Sequence, residues 1–215
     1  MILNCMVSIK LIKYYIEENS IVDGGFTMKD VLIIGAGPAG ASAAIFTAKA
    51  GKSTVVIDNK KGMTRRAWFE NFYGISEISG PALVDTGIEQ LKRLGAQLVE
   101  DTVVKLEVIE NGIRATTESG EVVDAQHVII ASGIHTSLTE ALQIETAEGT
   151  EPRIKTIIKV DAQGKTNINR VWAAGTIAGV SVHAIITAGD GAKVAINVIS
   201  ELNGERYVDH DVFSG

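Results

Sequence analysis

The chain has 215 residues, of which 46% are hydrophobic, and a formal net charge of -6 at pH 7. This length allows one large domain or two small ones with a sizeable core. The negative charge and the lack of Lys/Arg clusters argue against nucleic acid as the main partner, and no apolar run reaches the length of a membrane span. The single cysteine, Cys5, excludes an internal disulfide or dithiol and predicts a reducing, cytoplasmic location.

The first 27 residues differ in character from the rest. Met1–Met6 is apolar but lacks the basic start and small-residue cleavage site of a signal peptide, and a weak amphipathic helix pattern covers residues 9–16. A second methionine, Met28, directly precedes the first predicted strand. We therefore interpret residues 1–27 as an N-terminal extension, either a start-site artefact or an oligomer contact, and residues 28–215 as one domain.

A glycine-rich turn follows the first predicted strand. Val31–Ile34 is an apolar run of strand length, and Gly35–Gly40 reads G-A-G-P-A-G before a helical, alanine-rich stretch. In this pattern the first glycine allows a tight turn, the second allows a pyrophosphate to approach the backbone, and the third allows the helix to pack on the strand. The next strand, Ser53–Ile57, ends at Asp58, 23 residues after Gly35, where such folds bind ribose hydroxyls. Together these features predict a nucleotide site.

The rest of the chain alternates short strands with helices. Asn59–Gly80 is polar and aromatic and is interpreted as a loop, whereas Pro81–Leu94 is bounded by proline and glycine and is predicted as a helix. One Asn-Gly turn and one Ser-Gly turn predict an antiparallel meander within residues 97–124. Further strands are predicted at 127–131, 157–161 and 170–173, and a long helix from about 183 to 202. The predicted fold is α/β and Rossmann-like, with a parallel sheet, covering helices and a three-stranded meander.

Three further stretches resemble one family. They are Glu70–Gly74 (E-N-F-Y-G), Val128–Gly133 (V-I-I-A-S-G) and Val171–Thr176 (V-W-A-A-G-T) with the helix that follows it. They resemble the FAD-binding domain of the pyridine nucleotide–disulfide oxidoreductases, in the low-molecular-weight thioredoxin reductase branch, and the likeness covers residues 29–210. The resemblance implies FAD as cofactor, an asparagine beside the isoalloxazine ring, a helix whose N-terminal amides face the flavin, and a homodimer.

The residues expected to hold FAD lie in the turns that join these elements. They are Gly35, Gly37, Pro38, Ala39, Gly40, Asp58, Asn59, Lys60, Asn71, Val104, Ala131, Ser132, Gly133, Gly175, Thr176, His183 and Ala184. His183 is the candidate for catalysis, as a proton donor to the flavin. The alternative, favoured because a helix N-terminus disfavours an imidazolium, is that its side chain shapes the pocket while its backbone N–H binds. The histidines show no metal-ligand spacing, so no metal site is predicted.

Departures from the family pattern limit the functional prediction. About forty residues separate Gly133 from Gly175, too few for the nicotinamide-nucleotide domain that the family inserts there. The family's redox dithiol lies in that domain, and this chain has one cysteine. Thr176 stands where the family has an aspartate for the ribityl chain, and its hydroxyl bonds without charge. Met63–Arg66 stands near the expected place of a glycine-glycine-glutamine motif.

The sequence therefore predicts an FAD-dependent oxidoreductase made of the flavin domain alone. Electrons would come from freely diffusing NAD(P)H or from a separate reductase, and the acceptor, a disulfide, a quinone or oxygen, stays open. Strict thioredoxin reductase activity is not expected. One alternative is a non-catalytic FAD- or nucleotide-binding module, or a subunit of a larger redox assembly. Another is NAD in the Gly35 site. This interpretation is weaker, because an NAD-binding domain has no need of the Gly175 motif and the helix that follows it.

Overall fold

The computed structural model describes residues 28–209 and 211. The interpretation of residues 1–27 as an extension lies outside the described residues, as does Cys5. The strands are β1 Lys29–Ile34, β2 Thr54–Asp58, β3 Trp68–Phe69, β4 Ile78–Ser79, β5 Gln97–Glu100, β6 Val103–Ile109, β7 Gly112–Thr117, β8 Val122–Ile130, β9 Thr146–Glu148, β10 Thr156–Ile158 and β11 Val171–Ala173. The helices are α1 Pro38–Lys49, α2 Gly80–Arg93 and α3 Ala184–Asn203, with 3-10 helices at Met63–Arg66 and Gly175–Ala178.

The central sheet has seven strands, in the order β5-β2-β1-β8-β7-β6, with β11 also paired to β8. The β5, β2, β1, β8 and β11 pairings are parallel, whereas β6, β7 and β8 form antiparallel pairs. The predicted α/β class is confirmed, with both the parallel sheet and the three-stranded meander. One strand, β8, belongs to both parts because it is nine residues long.

Apolar side chains bury both faces of the sheet. One face packs under α1 and α3, where small residues of α1 lie against Val194, Ala195 and Val198 of α3. The other face packs against the meander and the segment that leads to β11, with Leu106, Ile130 and Ile177 among its members. A parallel sheet covered on both sides requires apolar strands, as the fully buried run Val31–Ile33 of β1 illustrates.

Several predicted boundaries differ from the structure. The interpretation of 59–80 as a loop was wrong in part, because this segment holds a 3-10 helix and the two-stranded β3–β4 sheet, whose two-residue strands are too short for a periodic signal. Residues 97–100 form β5 and pair in parallel with β2 rather than in the meander. His183 is the N-cap of α3, which begins at Ala184. None of the helices within the described residues is long and apolar enough to cross a membrane.

Candidate functional site

The glycine-rich turn joins the carboxyl end of β1 to the first turn of α1. A Cβ atom added at Gly35 would lie 2.5 Å from the carbonyl oxygen of Ala131, and the φ of Gly35 is +103°, a conformation that favours glycine. A Cβ atom at Gly40 would lie 1.8 Å from the carbonyl oxygen of Gly35. The protein's own backbone therefore excludes a side chain at both positions.

Gly37 is different, because the protein leaves space at this residue. A Cβ atom there would meet only Thr64 Oγ1, at 3.9 Å, and the backbone has φ −68° and ψ −178°, which any residue adopts. Neither packing nor backbone strain requires a glycine here. A bare backbone that faces open space at the start of a helix suits a phosphate group, so the residues present fit the diphosphate of a dinucleotide.

Asp58, at the end of β2, organises the turn. Its Oδ1 accepts a hydrogen bond from the backbone N–H of Ala36 at 2.8 Å, and its Oδ2 accepts one from the N–H of Lys60 at 2.9 Å. The carboxylate is half-buried, and each of its oxygens can accept a further bond. Asp58 can thus hold the turn and still bind a ribose hydroxyl.

The residues that follow Asp58 lie beside the start of β6. Asn59 Nδ2 donates to Thr102 Oγ1 at 3.4 Å, and the ammonium of Lys60 pairs with Glu100 at 2.5 Å. Val104, two residues after Thr102, is 53% exposed. The structure therefore brings Asn59 and Lys60 beside the residues that link β5 to β6, close to the strand that carries Val104.

The turn after β8 closes over the glycine-rich turn. The N–H of Ala131 donates to the carbonyl oxygen of Ile34 at 2.9 Å, which extends the β1–β8 pairing to the end of both strands. Ser132 Oγ donates to the carbonyl oxygen of His135 at 2.7 Å, so its hydroxyl is used inside its own turn. Ala131 and Ser132 lie next to Gly35, and Gly133 follows directly, so the structure brings this predicted group together.

The Gly175 turn follows β11 at the same edge of the sheet. The N–H of Gly175 donates to Asp190 Oδ2 at 2.8 Å, and a Cβ atom at Gly175 would lie 2.7 Å from the Cβ atom of Ala39. A Cβ atom at Gly191 would lie 2.0 Å from the carbonyl oxygen of Ala39. The first turn of α1, the Gly175 turn and α3 are thus in direct contact, and Thr176 is held half-buried within that turn.

His183 stands where the chain enters α3. Its side chain is exposed and its Nδ1 lies 2.8 Å from Ser181 Oγ, so the imidazole caps no helix amide. Its carbonyl oxygen accepts the N–H groups of Ile186 and Thr187 at 3.0 Å. The amides of Ala184 and Ile185 precede the first helical bond and carry the partial positive charge of the helix start. This geometry favours the backbone rather than the imidazole as the binding group.

One predicted residue makes no hydrogen bond to these turns within the described residues, and one residue of the site was missed. Asn71 is exposed, and no hydrogen bond joins its side chain to the glycine-rich turn within the described residues. Asp190 was missed, although a signal existed: Ala184, Thr187 and Asp190 recur at helical spacing and are all buried, and an acid on a buried helix face calls for a partner. Among residues 28–209 and 211, no group of three His, Cys, Asp or Glu side chains is placed to hold a metal ion.

Comparisons with known proteins agree with this geometry. The family described as pyridine nucleotide-disulphide oxidoreductase matches residues 80–196, and the family described as FAD binding domain matches residues 30–69. A thioredoxin reductase of Rickettsia conorii is 36% identical over 107 residues, which are 48% of this chain and 34% of the relative. One from Aquifex aeolicus is 37% identical over 110 residues, which are 48% and 33%. The match spans about a third of the length of these curated relatives.

The fold also resembles solved structures. A thioredoxin reductase from Gloeobacter violaceus aligns with a TM-score of 0.73 at 17% sequence identity. The alignment covers 86% of this chain and 99% of that one. Identity at this level supports the likeness of fold alone.

Proposed function

We propose that this chain, which belongs to the pyridine nucleotide-disulphide oxidoreductase family, is an FAD-dependent oxidoreductase that uses an external electron donor. The family and the cofactor predicted from the sequence are confirmed: the domain is FAD-binding and similar to that of thioredoxin reductases. The observation that carries the proposal is the bare backbone of Gly37, which stands in the chain between Ala36, bonded to Asp58, and Ala39, packed against Gly175. These three features fit the diphosphate, the adenosine ribose and the flavin half of one extended dinucleotide.

Each part of the chain has a distinct task in this proposal. Asp58 holds the glycine-rich turn and accepts the ribose hydroxyls, while the amides at the start of α1 bind the diphosphate. The helix start at Ala184 directs N–H groups to the flavin edge, where reduction increases negative charge. His183 shapes the pocket beside them. FAD, when bound, supplies the hydride and electron transfer.

An external donor is proposed for two reasons. Residues 134–155 form turns and part of the β9–β10 pair, and this stretch is too short for a second nucleotide fold. The family uses NAD(P)H, so freely diffusing NAD(P)H or a separate reductase would deliver electrons to this domain. A dithiol relay within the chain is not part of the proposal, because Cys5 is its single cysteine. A homodimer and a cytoplasmic location stay predictions.

A second candidate is a non-catalytic FAD-binding subunit. The observation that favours it is Thr176, a neutral residue where the resemblance predicts an aspartate for the ribityl chain. A weaker hold on the flavin half would suit a module whose partner completes the site. The two candidates differ in whether the isolated chain accepts electrons.

The deciding experiment is anaerobic reduction of the purified, full-length chain. Its visible absorption spectrum is recorded first, and NADH or NADPH is then added in a stopped-flow instrument. Bleaching of the flavin bands within seconds supports an oxidoreductase that takes electrons from free NAD(P)H. Bands that dithionite bleaches but NAD(P)H leaves unchanged favour a separate reductase or the non-catalytic subunit. A colourless chain that takes up no added FAD would contradict the proposal.

A further inference from the structure

We infer that Asp190 of α3 is a positioning residue that fixes the Gly175 turn for the flavin half of FAD. This inference rests on the proposed function and adds a residue to it. The carboxylate does not need to touch the cofactor, since it acts through the backbone of the turn. Asp190 is 9% exposed, whereas Asp58, the carboxylate at the other turn, is half-buried.

The geometry of the turn explains why a carboxylate is needed there. Gly175 has φ +80° and lies so close to Ala39 that a Cβ atom would be 2.7 Å away. Gly175 is itself buried, so its N–H needs an acceptor within the protein. A buried N–H without an acceptor is costly. Asp190 Oδ2 accepts it at 2.8 Å, and a bond to a charged acceptor is about twice as strong as a neutral one.

The negative charge of Asp190 is compensated from the same helix. Lys193 Nζ lies 2.7 Å from Asp190 Oδ1, and the Asp190 side chain is 8% exposed against 51% for that of Lys193. The pairing satisfies the second oxygen and reduces the cost of burying the charge. Both oxygens of Asp190 are engaged by the protein, and its side chain is buried, whereas that of Asp58 is half-buried. This burial favours a positioning role for Asp190 over direct contact with the cofactor.

The position of Thr176 explains why the hydrogen bond between Asp190 and Gly175 matters for flavin binding. Thr176 follows Gly175 directly, at the position that the resemblance assigns to the ribityl chain, and has only a neutral hydroxyl. A weak ligand binds well only if it is held in place beforehand, since ordering it on binding reduces affinity. The Asp190–Gly175 bond supplies that order without adding a charge next to the flavin.

The test compares the affinities of apoprotein variants for FAD and for ADP, which lacks the flavin half. Asp190→Leu removes the acceptor, Asp190→Asn keeps an acceptor without the charge, and Glu201→Gln is the matched control. Glu201 lies at the other end of α3 and pairs with Lys165 at 2.5 Å. FAD binding is measured by titration of the stripped full-length chain, and ADP binding by displacement of FAD.

We expect Asp190→Leu to weaken FAD binding by about 30-fold and Asp190→Asn by about threefold, with ADP affinity and the Glu201→Gln variant unchanged. If Asp190→Leu does not fold, Asp190→Asn carries the same test. Equal FAD affinities in all variants, or a parallel fall for FAD and ADP, would overturn the positioning role while leaving the proposed function intact. A wild-type chain that binds ADP but not FAD would overturn both.

Discussion

The glycine-rich turn and the Gly175 turn use the same device for different ends. In each, a carboxylate from a neighbouring element accepts a backbone N–H at 2.8 Å, Asp58 from Ala36 and Asp190 from Gly175. Asp58 is half-buried beside the open space at Gly37, whereas Asp190 is buried and neutralised by Lys193. The glycine-rich turn is therefore an open turn, which leaves binding groups for a ligand. The Gly175 turn is a closed turn, whose buried N–H is satisfied by the protein itself.

The largest expected effect distinguishes the part of the glycine-rich turn that the protein fills, at Gly40, from the part that it leaves open, at Gly37, and one added methyl group at each position tests it. Gly40→Ala places Cβ 1.8 Å from the carbonyl oxygen of Gly35, so we expect a loss of about 3 kcal/mol in the free energy of unfolding. An alanine in the interior of an unconstrained helix would instead gain about 1 kcal/mol. Gly37→Ala meets only Thr64 at 3.9 Å, so the apoprotein should change by less than about 0.5 kcal/mol.

Binding of FAD, unlike apoprotein stability, should be sensitive to a side chain at Gly37. A methyl group at Gly37 stands where the diphosphate approaches, so we expect FAD affinity to fall by about tenfold or more in a protein that is otherwise as stable as the wild type. Urea unfolding of the apoproteins and FAD titration together measure both quantities. Full FAD retention by Gly37→Ala would show that the open space at this residue is not the diphosphate site.

The next effect concerns the open turn's carboxylate. Asp58→Ala leaves the N–H groups of Ala36 and Lys60 without their acceptor, so we expect FAD affinity to fall by about tenfold and stability by about 1–3 kcal/mol. Asp161→Ala is the matched control, because Asp161 Oδ1 likewise accepts two backbone N–H groups at 2.9 Å, from Gln163 and Lys165. Its exposed turn carries no predicted cofactor residue. Equal losses of FAD affinity in both variants would contradict the role of Asp58.

The same difference explains how much the sequence could predict. Gly35, Gly40 and Asp58 were predictable because one local segment holds the strand, the turn, the helix and the acid that follows. The closed turn depends on contacts between residues far apart in the chain. Asp190 bonds to Gly175, 15 residues earlier, and Gly191 packs on Ala39 of another helix. No local pattern reports such a pairing, so the acid was missed although its helix was predicted.

Residues 59–80, between β2 and α2, show a second limit of prediction from sequence. Trp68 and Ile78 belong to paired strands of only two residues each. The backbone around Gly80 holds it in place: its N–H donates to the carbonyl oxygen of Ala67 at 2.8 Å, and a Cβ atom there would lie 1.8 Å from the carbonyl oxygen of Thr64. Composition predicted a loop because polar, aromatic and glycine residues are mixed here without a helical or strand period. The structure is ordered by these close backbone approaches rather than by a repeating apolar face.

The smallest expected effect lies behind the closed turn, where His127 of β8 and Trp172 of β11 join the strands that lead to Ala131 and Gly175. Trp172 Nε1 donates to His127 Nδ1 at 3.1 Å, so this nitrogen must be unprotonated. Burial lowers the pKa of His127, with smaller and opposing contributions from Glu201, which raises it, and from Arg170 and Lys165, which lower it. The folded state therefore binds the proton less readily than the unfolded state, whose histidine has a pKa of about 6.5.

The sign of the pH effect follows from this difference in proton binding. The contribution of His127 to stability is complete above pH about 6.5 and is lost as the pH falls through the lower pKa of the folded state. In His127→Gln the side-chain amide oxygen can still accept the indole N–H but does not titrate, so the free energy of unfolding should fall less between pH 7 and pH 5 than in the wild type. Urea unfolding followed by tryptophan fluorescence, in a Trp68→Phe background that leaves Trp172 as the one tryptophan, measures how steeply the free energy of unfolding changes with pH in each protein. Identical slopes would mean that protonation of His127 is not coupled to the bond behind the closed turn.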